Sequence, residues 1–587
     1  MLDRFWPSNL FLGGIPGAWY DPTDLATMFQ DSTGTTPVTA VEQPVGLILD
    51  KSQGLAIGAE LVTNGTFPVN LNGWTIGDGT PTWVAPGAMR LDSTSARQSA
   101  YQDVPTVIGA TYEIRATLSN FSAGGFAPRL SVWSGAFVSL LGSIGLSAGT
   151  FVGRFRATAT TIRLQAYADL GGIANFDDIS VRELAGNHAS QSTAASRPTY
   201  RARYNLLTQS EDFSQAVWTK TSSTVSANTS VAPDGTTTAD TLAEAAAVSF
   251  HGANHQSVSV PVGTTLTLSA SFKKGTSRYA QLNFGGSGAV SRWVSCVIDL
   301  DTGSITQSSA GAQATLVSAV SSAQGNGWYR VSLTGSVQTD TSIFSYVNMV
   351  STGTPTLGSY GVETYLGVIT NNILIWGAQL LTAADVTATG NAYQRIAAAT
   401  VYDTAPIFRP YLAFDGLDDG LATASFAPGT DKCQAFSGIA NIAGTNFAIV
   451  AEMSANAGSN NGAMLLYSPD NVLANYYGFL SRGTLTSAVA TNAAAYKPPA
   501  INVVTGIGDI SGDVATLRVN ATQVVTSATD QGSGNYLSYP LYIGRRGGVS
   551  SPFNGRIYSL ILRFGGTLSA SQIAETELWV NARTGAY

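Results

Sequence analysis

Apolar and polar residues alternate with a period of two over many short stretches of this chain. In TYEIRATL (111–118), Tyr112, Ile114, Ala116 and Leu118 fall on one side and Thr111, Glu113, Arg115 and Thr117 on the other. That is the pattern of a half-buried β-strand. RLSVWS (129–134) and TIRLQAYA (161–168) read the same way, as does TLTLSASF (265–272), with Leu266, Leu268, Ala270 and Phe272 on one face. RIYSLILRF (556–564) is mostly apolar on both sides, Tyr558, Leu560 and Leu562 against Ile557 and Ile561, which predicts an inner strand of a sandwich. VGLILD (45–50) predicts another buried strand. Helical spacing is confined to two segments. In WYDPTDLATMFQD (19–31), Asp21 or Thr23 can cap a short helix, Pro22 suits its first turn, and Leu25, Met28 and Phe29 share a face. In the tail TLSASQIAETELWVNARTGAY (567–587), Ser569 or Ser571 can cap a helix whose apolar stripe includes Ile573 and Val580.

The same order of features occurs twice. TF…GWT (66–75) is followed by VPTVIGATYEIRATL, and DF…VWT (212–219) by SVPVGTTLTLSASF. Two segments of similar size with one internal order predict two copies of one architecture. They flank and interrupt a third pattern, because VGLILDKSQG (45–54), GNHASQSTAASRPTY (186–200) and PYLAFDGLDDGLATASF (410–426) read as consecutive parts of a single module. The predicted layout is 1–54, N-terminal anchor and first part of a host sandwich; 55–184, first insert; 185–202, host segment; 203–396, second insert; and 397–587, the rest of the host. Insertion at exposed loop tips disturbs a host least.

Composition agrees with an all-β chain. At 587 residues it is too long for one core. Charged residues make up 11%, so the polar surface comes mainly from Ser, Thr, Asn, Gln and the backbone of 62 Gly. With 22 Pro, this suits many short strands joined by turns. A net charge of −7 without a basic run argues against nucleic acid. The opening MLDRFWPSNLF lacks the basic and apolar regions of a signal peptide, and no apolar run is long enough to predict membrane insertion. Cys296 and Cys433 sit in different predicted domains and predict small buried residues, not a disulfide.

GAWYDPTDLATMFQDSTGTTPVTAVEQPVGLILDKS, with GNHA, SRPTY and LAFDGLDD, resembles a group of tailed-phage and prophage virion proteins. The resemblance covers roughly 1–54, 186–200 and 410–587 and implies a concanavalin- or laminin-G-like host sandwich. The first insert resembles a jelly-roll carbohydrate-binding module. The second, with GNGWYRVSL (325–333) and IWGAQLL (375–381), resembles another that phages carry. The fold class implied is therefore a concanavalin-like β-sandwich interrupted by two β-jelly rolls, with short helices near the N-terminus and at the C-terminus.

Candidate sites follow from these expectations. Pyranose C–H groups pack on aromatic rings while amides and charged groups meet the hydroxyls. That singles out Tyr101 and Trp133 in the first insert, and Tyr279, Arg292 and Trp293 in the second. Jelly-roll modules of the first kind often hold a structural calcium where their first and last strands meet. The matching positions are Asn64, Thr66, Asp177 and Asp178; no other cofactor is implied. Asp415, Asp418 and Asp419 read as a tight turn, with a calcium site as the competing reading. His251 and His255 lack a third zinc ligand nearby, and His188 in GNHA predicts a backbone hydrogen bond. Phe5, Trp6, Phe11 and Trp19 are a dense aromatic set, read either as an anchor to other virion proteins or as packing on their own domain. No E-x-D-x-E strand or short-period β-helix repeat occurs, and the histidines sit in no recognisable hydrolase motif, so no enzyme is predicted. The expectation is a virion fibre, spike or decoration protein, made in the host bacterial cytoplasm. It would assemble as a homo-oligomer, a trimer if it is a fibre, and bind bacterial surface glycans without catalysis. A purely structural component and a depolymerase are the alternatives.

Overall fold

In the computed structural model the described residues are all except 1–5, 124–126, 135–138, 145–146, 288–289, 443–446, 470–476, 486 and 492–498. Phe5 therefore lies outside them. Three sandwiches are present, and every strand pair that they use is antiparallel. The host has one nine-stranded sheet, ordered Met28–Phe29, Leu47–Ile48, Ala189–Ser190, Leu421–Phe426, Tyr539–Ile543, Ile449–Met453, Ala463–Tyr467, Gly478–Arg482 and Ser487–Thr491. The facing eight-stranded sheet runs Thr199–Arg201, Tyr411–Asp415, Asn554–Phe564, Lys432–Asn441, Ala500–Asp509, Val514–Val519 and Thr522–Ser527, with Gly17–Tyr20 also paired to Asn554–Phe564. VGLILD thus shares a sandwich with YLAFDG and RIYSLILRF, and Ile48, Leu412, Val450, Leu466, Leu560 and Leu562 meet in one core.

The interrupted motif closes through a buried hydrogen-bond knot. The Asp50 carboxylate accepts from Trp19 N (2.7 Å), Ser52 N (2.8 Å), Ser52 Oγ (2.8 Å) and Asn187 N (2.7 Å). Asp50 N donates to His188 Nδ1 at 2.9 Å, so Nε2 carries the ring proton and donates to Leu184 O at 3.1 Å. Burial holds His188 down to about 4, which keeps this neutral tautomer in place. Tyr20 Oη donates to Asn187 O and Asn187 Nδ2 to Gly17 O. His188 is therefore structural, making the backbone bonds expected of it.

The N-terminal segment departs from the helix expectation. Asp21 is buried, and its Oδ1 accepts from Thr23 N and Thr23 Oγ1, closing a local turn. Only Leu25–Thr27 coils, as a single 3-10 turn, and Pro7–Phe11 forms another. Met28–Phe29 pairs with Leu47–Ile48 as a strand. Sheet pairing outweighs a three-residue apolar stripe that is too short to sustain a helix. The C-terminal helix, Ala570–Thr584, forms as expected and is closed by a Ser569–Gln572 capping box. It lies on the outer side of the eight-stranded sheet, where Gly438 has no room for a Cβ, since one would sit 1.9 Å from Thr584 Oγ1. Trp19, Phe11 and Leu10 join Trp579 and Val580 in that layer, with the Trp19 and Trp579 rings edge-on at 5.5 Å. This corrects the anchor reading for Phe11 and Trp19: at 3% and 4% exposure they pack on their own domain, and Trp6, at 47%, is the described member left open.

Both inserts have one strand order. The first has a sheet Ser139–Ile144, Arg129–Ser134, Thr161–Ala168, Gln98–Pro105, Thr75–Asp78. Facing it is Gly149–Arg156, Thr111–Ser122, Ile173–Leu184, Ala88–Asp92, Thr82–Val84, with Ile57–Glu60 added on Ile173–Leu184. The second repeats this as Trp293–Asp299, Tyr279–Gly286, Ser342–Met349, His251–Ser259, Trp218–Thr221 over Trp328–Val337, Thr265–Lys274, Asn372–Thr382, Ala239–Glu244, Ser223–Ser230. The second also carries Ser304–Ala310, paired to Trp293–Asp299 at the edge of one sheet, Ala314–Gly325, paired to Trp328–Val337 at the edge of the other, and a long 350–371 connection where the first has only 169–172. The ends of each insert are neighbours, since Ala185 N donates to Ala56 O (2.9 Å) and Arg201 pairs with Tyr411.

Candidate functional site

The pleat of Arg129–Ser134, Thr161–Ala168 and Gln98–Pro105 sends Leu130, Val132, Ile162, Leu164, Ala166, Ala100 and Val104 into the core of the first jelly roll. The intervening residues stand on the outer face. Register sets them in rows: Trp133 opposite Arg163 opposite Asp103, then Ser131 opposite Gln165 opposite Tyr101, then Arg129 opposite Tyr167. Tyr101 and Trp133, singled out from sequence, therefore share one face, roughly 10 Å apart across two strand spacings. The Arg163 guanidinium covers the Tyr101 ring at 3.8 Å and forks onto Asp103 (2.8 and 3.0 Å). That pair holds the Asp103 carboxyl below its ordinary value. Arg129 lies 4.9 Å from the Tyr167 ring. Trp133 Nε1 has no hydrogen-bond partner among the described residues. Aromatic rings, a planar amide and fixed guanidinium groups on one sheet face can hold a sugar by stacking and by directed hydrogen bonds. Arg163, Gln165 and Tyr167 were missed in the sequence reading, although the alternation in TIRLQAYA places them opposite Ile162, Leu164 and Ala166.

The second jelly roll differs, and its candidates do not form an open platform. Tyr279 is opposite Asp299 and Trp293 opposite Gly285, at opposite ends of one strand pair. Arg292 is tied to Asp340 Oδ1 (2.7 Å) and Gln313 Oε1 (2.8 Å). The 350–371 connection lies across the sheet: Gln281 Nε2 donates to Gly361 O (2.8 Å), and Asn283 Nδ2 to Tyr360 O and Gly361 O (both 2.9 Å). Gly361, at φ +70°, is seated on Trp293, whose ring would be 2.4 Å from a Cβ there. Trp293 is thus a seat for the chain itself.

The calcium positions are only partly brought together. Asn64, Thr66 and Asp178 line a cleft of about 640 Å³ beside Glu60, Glu113 and Arg182, but Asp177 is not on its lining. Glu60, at its floor, accepts from Ser180 Oγ, Val62 N, Val181 N and Arg182 Nε, and Asn64 Nδ2 is spent on the carbonyls of Asn70 and Asn72. Asp177 Oδ1 accepts from Asp178 N, and burial raises its pKa. The four residues named from sequence do not form one ligand set. Both histidines of HGANHQ are committed to the backbone: His251 to Ser222 O and Tyr365 O, His255 to Gln256 O and Thr208 N.

Asp415, Asp418 and Asp419 form the turn that carries the chain from one host sheet to the other. Asp415 Oδ1 accepts from Leu417 N (2.8 Å), Asp419 Oδ2 from Asp415 N (3.1 Å) and Asp418 Oδ2 from Ser196 Oγ (2.6 Å). Their carboxylates lie within 4.8 Å of one another. Burial, then Asp415 and Asp418, push Asp419 up to about 7. A group raised in the folded state is stabilising while protonated, and that contribution is lost as pH rises through the folded value. Asp419→Asn should therefore leave the melting temperature unchanged near pH 3, where the carboxyl is protonated in the folded and the unfolded chain alike. It should stabilise the host above pH 8, by on the order of 1 kcal/mol after allowance for solvent screening. Thermal melts at the two pH values check the crossover.

No family model matches this chain, and no curated protein matches it. Solved structures do. The CBM40 module of a Ruminococcus gnavus IT-sialidase, bound to α2,3-sialyllactose, is 15% identical over 27% of this chain and 97% of its own, with a TM-score of 0.21. The tandem CBM22-1–CBM22-2 domain of Paenibacillus barcinonensis Xyn10C is 10% identical over 56% of this chain and 99% of its own, with a TM-score of 0.22. A heptameric SAP-like pentraxin from Limulus polyphemus is 12% identical over 28% and 78%, with a TM-score of 0.23. At these scores none of them bears on what the chain binds.

Proposed function

We propose that the chain is a non-catalytic glycan-binding protein of a tailed-phage particle, and that the outer face of the first jelly roll is its contact with bacterial surface polysaccharide. The observation that carries the binding reading is the row structure of that face, with Trp133, Arg163, Gln165 and Tyr101 aligned on adjacent strands. The virion reading rests on the resemblance of the host segments, now adjacent in one sandwich, to tailed-phage proteins. Trp6 is the open member, among the described residues, of the N-terminal aromatic set through which the chain would meet other virion proteins. Weak single sites gain strength when many copies sit on one particle, which the expected homo-oligomer would supply.

Trp133→Ala should lower affinity for a bound polysaccharide roughly tenfold or more, about 1.4 kcal/mol, without shifting the melting temperature of the first jelly roll by more than a few degrees. Glycan arrays of bacterial surface polysaccharides, probed with both proteins, check this. A blank array from a protein abundant in purified particles supports the purely structural reading instead. Release of reducing ends from the same polysaccharides supports a depolymerase.

A further inference from the structure

The covered face of the second jelly roll is built of polar side chains. Ala280, Leu282, Phe284, Val294, Cys296 and Ile298 point into the core. The alternate residues on the same strands, Gln281, Asn283 and Ser295, are fully buried, as is Asn348 on the neighbouring strand. Register aligns Asn348, Gln281, Val297 and Gln307 in one row, and Tyr346, Asn283, Ser295 and Ser309 in the next. A sheet face that is merely roofed by its own chain is normally apolar, or has its polar groups paired. Here Asn283 Oδ1, Asn348 Oδ1, Gln307 Oε1 and Ser309 Oγ have no partner among the described residues. The amide nitrogens of Asn283 and Gln281 donate to backbone carbonyls of the covering loop, at Tyr360 and Gly361, and Asn348 Nδ2 donates to Gln281 Oε1.

We propose that this face is a second carbohydrate-binding surface, occupied by the chain's own 350–371 loop, whose carbonyl oxygens at Tyr360 and Gly361 stand where sugar hydroxyls would accept. The two rows, with the Trp293 ring beyond them, carry amides, hydroxyls and Tyr346 but no charged side chain, and Asp299 at the other end of the strand pair is neutralised by Arg278 (2.9 and 2.6 Å), so the ligand class is an uncharged oligosaccharide. The first face, by contrast, carries Arg129, Arg163 and Asp103. The loop is pinned at its base, where Ser351 N and Oγ donate to the Glu363 carboxylate (2.7 and 2.6 Å), so its tip can leave while its root stays. The tip residue Tyr360 has φ +61° and is 42% exposed. Only the choice of sugar as ligand class rests on the reading of the first jelly roll. The unpartnered amides stand without it.

The test uses the full chain carrying Trp133→Ala, so that the first face is silent, and replaces 352–362 by a short Gly-Ser link between the neighbouring Ser351 and Glu363. Titration with neutral glucose, galactose and mannose hexasaccharides should show a gain in affinity of at least about tenfold for one of them over the intact loop. Asn283→Ala in the shortened protein should abolish that gain. A shortened protein that keeps its melting transition yet gains nothing with any of the three overturns the proposal. Should the shortening prevent folding, Gly361→Val decides in its place, because its side chain would meet the Trp293 ring and displace the tip. Faster amide exchange at 360–362 without any gain in sugar binding then overturns it. Because Trp133 is already removed, a failure of the first-face reading leaves this gain unaffected, and a failure here leaves the first face standing.

Discussion

Asp50→Ala is expected to destabilise the host sandwich by on the order of 4 kcal/mol, because it leaves the buried backbone N–H groups of Trp19 and Ser52, and the half-buried one of Asn187, without an acceptor. For a domain of this size that is a fall of about 10 °C in its melting transition. The loss is larger than one side chain suggests, since Asp50 joins a segment before the first insert to one after it. Asp50→Asn keeps one carbonyl oxygen and should lose less. The three sandwiches have separate cores, so the change should fall on the host transition and leave the two jelly-roll transitions in place. Calorimetry of the wild type and both variants reads this directly. Equal shifts in all transitions would mean that Asp50 does not act through the host.

The second large effect is expected at the seam between host and second jelly roll. Asp385, on the short Ala383–Thr389 helix, accepts from Arg556 Nη1 of the host at 2.6 Å, and both are buried. Arg556 also lies between the Tyr204 and Tyr411 rings, at 5.0 and 4.7 Å. Burial opposes its charge, but the Asp385 carboxylate and the surrounding tyrosine hydroxyls hold its pKa above the ordinary arginine value. Removing one partner strands a buried charge, so Asp385→Ala should cost about 3–5 kcal/mol. Replacing both, as Asp385→Leu with Arg556→Leu, should recover most of that loss, because two apolar residues leave no unpaired charge. A double-mutant cycle by urea unfolding, with limited proteolysis of 397–409 to report loosening of the seam, separates the two outcomes. Additive losses would show that the ion pair does not couple the domains.

Much of this architecture is visible in the sequence, because strand alternation is a local property. TYEIRATL and TLTLSASF turn their apolar sides inward as their spacing requires, and the two GWT/VWT openings introduce sheets of one order. The divided motif was readable because DKS, GNHA and LAFDG are chemically specific: Asp50 needs the Asn187 amide and the His188 ring. What escaped depends on tertiary competition. Leu25, Met28 and Phe29 fit a helical stripe, yet Met28 and Phe29 also fit a strand, and only the neighbouring Leu47–Ile48 decides between them. Alternation puts Trp293 on the outer face of its sheet but says nothing about what covers it. The segment 350–371 has no periodicity, and its return onto Gln281 and Asn283 is fixed by contacts some 80 residues away in sequence. The same limit applies to the aromatic set near residue 10, where Phe11 and Trp19 are buried against the helix Ala570–Thr584, more than 550 residues away in sequence.

One host sandwich is assembled from three separated pieces, and the first jelly roll is a guest within it. Deleting 57–184 and joining Ala56 to Ala185, already hydrogen-bonded neighbours, tests it most directly when read by hydrogen–deuterium exchange at 47–51. In the intact chain Leu49 N donates to Thr27 O, Asp50 N to His188 and Lys51 N to Trp19 O, all partners outside the deleted stretch. These amides should stay protected in the shortened chain, at levels set by the host. Exchange there at the rate of an unfolded peptide, with the second jelly roll still folded, would contradict it.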